Sequence, residues 1–149
     1  MNNSEIIKKL NWFYTLELTQ VDLYTAQSKM VQDKYIKNTL KRVAVIEQQH
    51  VDNIADKIKK LGGKPIVIAD ITAPLLGKLA GTVIGKSGVI NMMKINIVLE
   101  KKAMSDYKKF IAKTVGESSL SSILWSNLID EDLHTSWFDS KIKQINKQK

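Results

Sequence analysis

Glu47-Gln48-Gln49-His50 and Glu131-Asp132-Leu133-His134 are the two stretches on which the reading of this chain turns. They hold the chain's only two histidines, and in each the imidazole follows a glutamate by three positions. On a helix, residues i and i+3 share a face, so each tetrapeptide aims one carboxylate and one imidazole at a common point. The residues around both continue in the helical rhythm. Upstream and downstream of the first run Ile36, Leu40, Val43, Ile54, Ile58 and Leu61; around the second run Leu120, Leu124, Asn127, Phe138 and Ile145. Steps of three and four predict one apolar stripe per helix, with the Glu and His inside it.

Two further stripes carry a mid-helix glutamate and no histidine. Ile6, Leu10, Phe13, Glu17, Val21 and Tyr24 form one; Ile90, Met93, Ile97, Glu100, Met104, Tyr107 and Ile111 form the other. Both prolines and five of the seven glycines fall between 62 and 85, leaving a long breaker-free stretch on either side. The first helix is predicted from an N-cap at Ser4 to about Val31. The second runs from an N-cap at Asp33 to the stop at Gly62-Gly63 and Pro65. The third spans about 88–114, and the fourth begins after Ser118 or Ser119. The segment of about 62–88 is long enough to return along the bundle, as a crossover between parallel second and third helices requires. The expected fold is all-α, a four-helix bundle making one domain of residues 1–149.

A lone ionised carboxylate is costly on an apolar seam. Glu17, Glu47, Glu100 and Glu131 place one in every helix, and His50 and His134 stand beside two of them. A pair of metal ions supplies the shared counter-charge. Glu from two helices and Glu-x-x-His from the other two is the ligand recipe of ferritin-like di-iron or di-manganese carboxylate sites. Glu17 precedes Glu47 by 30 residues and Glu100 precedes Glu131 by 31, so the halves are near copies in length. Such pseudo-twofold spacing lets Glu47 and Glu131 bridge two ions, each completed by one His and one terminal Glu. Oxygen-rich, partly imidazole ligation suits iron, with manganese or zinc as alternatives. Tyr24 and Tyr107 each follow a glutamate by seven; they read either as core tyrosines or as redox partners of the metals.

Composition narrows the class. The chain has 149 residues, 44% hydrophobic and 26% charged, as in an ordinary globular domain. It has no Cys, which excludes thiolate zinc and iron–sulfur sites. Its net charge of +8 is lysine spread along every segment without interleaved aromatics, so no nucleic-acid partner is expected. Neither a signal peptide nor an 18-residue apolar run is present, so the expected location is cytoplasmic. Residues 74–84 read as a short apolar helix, either a lid or a peripheral membrane contact.

At its motifs the sequence resembles the demethoxyubiquinone hydroxylases, di-iron enzymes of the ferritin-like class. Glu17 with Tyr24 and Gln27 is similar to that family's E-x6-Y-x2-Q stretch. Glu47 with His50, Leu99-Glu100 with Tyr107, Asp130-Glu131 with His134, and the glycine-broken crossover are also similar. Asp106 departs, standing where that family commonly has His. The resemblance implies two iron ions on the six Glu and His, an external electron donor, a quinone-like apolar substrate hydroxylated with dioxygen, and Tyr107 relaying electrons.

The leading expectation is therefore a di-iron oxidoreductase of monooxygenase type, activating dioxygen or peroxide. The alternative is a ferritin- or rubrerythrin-like iron protein, a ferroxidase or peroxide reductase. Trp12, Trp125 and Trp137 read as packing or interface residues, and a homodimer is among the expected partners.

Overall fold

Asn2, not Ser4, opens the first helix. In the computed structural model, which describes residues 1–69, 85–114 and 118–147, the Asn2 side chain accepts from the Glu5 N–H at 2.9 Å. Glu5 returns the contact, its Oε2 accepting from the Asn2 N–H at 3.0 Å. This reciprocal capping box satisfies two otherwise orphaned donors and outcompetes a serine two positions further in. Helix α1 (Asn3–Met30) follows, and Asp33 caps α2 (Lys34–Lys60) as expected, accepting from the Ile36 N–H. Helix α3 (Gly85–Lys113) begins three residues before its predicted start, and α4 (Ser118–Lys147) completes the described elements. The first turn has no intrahelical acceptors for its N–H groups, so glycine costs little there. No strand occurs among the described residues. The expected apolar helix at 74–84 lies outside them.

The chain divides into two compact units, α1 with α2 and α3 with α4. In the first, only residues 31–33 join the helices, which forces an antiparallel hairpin. Its seam buries Leu10, Phe13, Leu23, Leu40, Ile54 and Ile58, each contributing about 1.5–3 kcal/mol on leaving water. Val21, expected on this seam, is only half-buried, and Leu61 at the end of the α2 stripe likewise.

Gly62 and Gly63 end α2 in a Schellman motif. Gly62 takes φ +83°, its N–H donates to the Lys59 carbonyl, and the Gly63 N–H donates to that of Ile58. Gly63 is also pressed against α1, where an added Cβ would lie 2.9 Å from Ile7 Cγ2 and 3.1 Å from Ile58 Cγ2. Gly63→Ala is expected to cost about 1–3 kcal/mol by overpacking, read as a lower urea midpoint with unchanged slope. An unaltered midpoint would mean Ile7 yields freely. Beyond the glycines the chain runs extended along α1. Asn11 Nδ2 donates to the Lys64 carbonyl and its Oδ1 accepts from the Ile66 N–H, while Thr15 Oγ1 accepts from the Ile68 N–H. Two helix side chains thus stand in for a neighbouring strand.

In the second unit the buried face of α3 is Met92, Met93, Asn96, Glu100, Ala103, Tyr107 and Phe110. Ile97, Met104 and Ile111, expected inward, sit half-buried at its edge. On α4, Leu120, Leu124, Leu128, Phe138 and Ile142 are buried, whereas Ile145 is half-buried near the helix end. Tyr107 bonds Asn127 and Met104 contacts Thr135, so the two helices run antiparallel. No helix among the described residues is long and apolar enough to cross a membrane.

Candidate metal centre

Each hairpin brings together one triad of candidate ligands. In the first, Glu17 on α1 and Glu47 and His50 on α2 are buried at mid-helix, and their ligand atoms lie within 4.8 Å of one another. His50 Nδ1 is 3.0 Å from Glu47 Oε2 and 3.7 Å from Glu17 Oε2. In the second, Glu100 on α3 and Glu131 and His134 on α4 are likewise buried with ligand atoms within 4.8 Å. His134 Nδ1 is 3.7 Å from Glu100 Oε1 and 3.9 Å from Glu131 Oε2. The i, i+3 spacing delivers carboxylate and imidazole to one side of α2 and of α4, and the antiparallel neighbour brings the second carboxylate.

The donor set fits a metal ion. Two donors at about 2.1 Å from one ion stand roughly 3.0–3.4 Å apart, and the Nδ1–carboxylate separations of 3.0–3.9 Å need only a small contraction. Two carboxylates and one imidazole per triad are oxygen-rich and free of sulfur, the chemistry of iron or manganese. An ion pair with a protonated imidazole would neutralise one carboxylate of each pair and leave the other's charge buried, which a divalent ion would not.

Both tyrosines are fully buried. Tyr107 accepts a hydrogen bond on its phenol oxygen from Asn127 Nδ2 at 3.0 Å, one turn before Glu131 on α4. Position 43, which stands to Glu47 as Asn127 stands to Glu131, is Val, so the halves diverge here. Asp106 is buried and paired with Lys102 and Lys109 on its own helix, a structural role. Sequence reading passed over Gln20 and Asn96, both fully buried. Gln20 follows Glu17 by three and Asn96 precedes Glu100 by four, so helical spacing alone could have found them.

The Tyr107–Asn127 bond makes a checkable prediction. Tyr107→Phe or Asn127→Leu alone is expected to destabilise by about 1 kcal/mol, because each removes one end of a buried hydrogen bond. The double variant is expected to cost less than the two together, a coupling that a denaturant double-mutant cycle measures. Strict additivity would mean the bond carries no energy.

Residues 7–147 match the ferritin-like domain, and the chain belongs to that family. Two solved structures share its fold, the four-helix bundle. One is the bacterioferritin-related, dodecameric thioferritin of Bacteroides fragilis: TM-score 0.84, 18% identity, covering 99% of this chain and 90% of that one. The other is the Desulfovibrio desulfuricans bacterioferritin, described with a di-iron site in different catalytic states: TM-score 0.79, 21% identity, covering 97% and 82%. No curated protein matches by sequence. These matches support the coarser class and not the demethoxyubiquinone hydroxylases in particular.

Proposed function

We propose that the protein is a ferritin-like iron oxidase, in which each triad would hold one iron ion, Glu17, Glu47 and His50 the first and Glu100, Glu131 and His134 the second. The observation that carries this reading is the repeated triad: one terminal Glu, one Glu-x-x-His, all buried, once in each hairpin. Bound iron would supply the redox chemistry, with dioxygen or peroxide as the electron acceptor. The chain's own part is to bind and to exclude water. Glu17 with Glu47 and His50 would hold one ion and Glu100 with Glu131 and His134 the other, the imidazoles neutral and the four carboxylates balancing the ionic charge. The burial of all six residues keeps the site away from bulk water, which strengthens every charge interaction within it. Tyr107, hydrogen-bonded by Asn127, and Tyr24, both fully buried, would be the groups to pass a single electron.

A mineral-storing role fits less well. A ferric store is served by an acidic surface, and this chain carries +8. Hydroxylation of a quinone-like substrate is the second reading, carried by Glu17, Tyr24 and Gln27, all buried on α1 in the spacing described above.

Excess ferrous iron added in air separates these readings. Oxidation is expected to stall near two irons per chain if the site is not feeding a store. Continued turnover with mineral growth would overturn the non-storage part of the reading. Oxygen consumption restarted by a reductant plus a short-tailed quinone, but not by the reductant alone, would favour the hydroxylase.

A further inference from the structure

We propose that Met104 is a modification site: peroxide held at the second triad gives one oxygen atom to its sulfur, and Thr135 receives that oxygen as a hydrogen-bond donor. The inference rests on the iron reading of Glu100, Glu131 and His134 given above. Met104 follows Glu100 by one turn on α3, and Thr135 directly follows His134 on α4. Side chains on a helix lean toward its N-terminus, so the Met104 thioether is carried back over the turn that holds Glu100. It is half-buried, within reach of a small oxidant. The pairing is particular to this half of the chain. The residues that stand to Glu17 and His50 as Met104 and Thr135 stand to Glu100 and His134 are Val21 and Val51, which offer neither sulfur nor hydroxyl.

Distance makes Thr135 the receiver. Its Oγ1 lies 4.0 Å from Met104 Sδ. A hydroxyl that donates to an oxygen stands about 2.5–3.0 Å from it, so the gap is wide by roughly one atom. An oxygen added to the sulfur on the side facing Thr135 closes it. A thioether is a weak acceptor and needs no partner, whereas its sulfoxide is polar. A polar oxygen taken out of water is costly without a donor, and at this position the donor is already in place.

The step balances with peroxide alone. A lone pair of Sδ attacks one peroxide oxygen, the O–O bond breaks and an S–O bond forms. The other oxygen leaves as water with both peroxide hydrogens. Sulfur loses the two electrons that peroxide gains, and no further reductant is needed. The chain's other methionines provide internal references. Met1 and Met30 are 52% and 47% exposed and meet any peroxide in solution, while Met92 and Met93 are fully buried.

Protein loaded with iron and desalted is given a small excess of hydrogen peroxide, and the sulfoxide at each methionine is quantified by peptide mass spectrometry beside metal-free protein treated alike. Without metal, oxidation is expected to follow exposure, Met1 and Met30 ahead of Met104. With iron, the yield at Met104 relative to Met30 is expected to rise at least about tenfold, because the oxidant is held beside its sulfur. Thr135→Val removes the donor, so oxidation is expected to lower the urea midpoint of T135V further than that of the wild type. Iron retained with no rise at Met104 would overturn this inference and leave the metal site standing; no iron retained would overturn both. Equal midpoint losses in the wild type and T135V would overturn the part given to Thr135.

Discussion

Replacing Glu47 and Glu131 together by alanine is expected to abolish the binding of both metal ions. Each is the carboxylate of a Glu-x-x-His pair, so the double variant removes one proposed ligand from each triad. Loss of a group that merely orients a ligand costs 10–100-fold in metal affinity, and loss of a ligand itself should cost at least about that much for each ion. The comparison is metal content per chain after loading and desalting, about two in the wild type and near zero in the variant. The variant should still fold, because without metal it loses two buried carboxylates and gains apolar side chains. Two ions retained by the variant would remove Glu47 and Glu131 from the ligand set.

Metal loading itself is expected to have a large effect on stability. An ion that binds the folded chain and not the unfolded one stabilises it by about 4 kcal/mol at a thousand times its dissociation constant. For a chain of this length that is a rise in Tm of roughly 8–16 °C. Carboxylate and imidazole must shed protons to ligate, so loading should also release protons into a weakly buffered solution. A loaded protein that melts with the apo form, and takes up metal without proton release, would mean the six residues do not act as ligands.

The six candidate ligands were legible as a set because their chemistry contradicts their position. A glutamate on an apolar seam stands out, and two histidines at i+3 from glutamates stand out further. The structure buries all six and groups them as Glu17, Glu47, His50 and Glu100, Glu131, His134. The weak places were those where hydrophobicity is a poor guide to direction. Along α3, Ile97 and Met104 look like seam residues, yet Asn96 and Ala103, with little apolar character, occupy the buried face. Along α4, Trp125, Ile129 and Leu133 are apolar and point outward. Asn11 and Thr15 gave no local sign of their task, because their partners Lys64, Ile66 and Ile68 lie some fifty residues on. The start of α1 was misassigned because Ser4 is a plausible cap in isolation; the reciprocal pair of Asn2 and Glu5 decides it.

Why the fold was easier to read than the activity follows from the same chemistry. Amphipathic helices and buried carboxylates are dictated by solvation, which any sequence must obey. Whether iron's electrons go to peroxide, dioxygen or an organic guest depends on groups around the metals, and Tyr107 with Asn127 suits more than one of these outcomes.

Diffraction from iron-soaked crystals at the iron absorption edge tests the central claim most directly. The account predicts two anomalous peaks per chain. One should be ringed by Glu17, Glu47 and His50, the other by Glu100, Glu131 and His134. A single peak, or peaks at surface carboxylates with the six residues left unliganded, would contradict it.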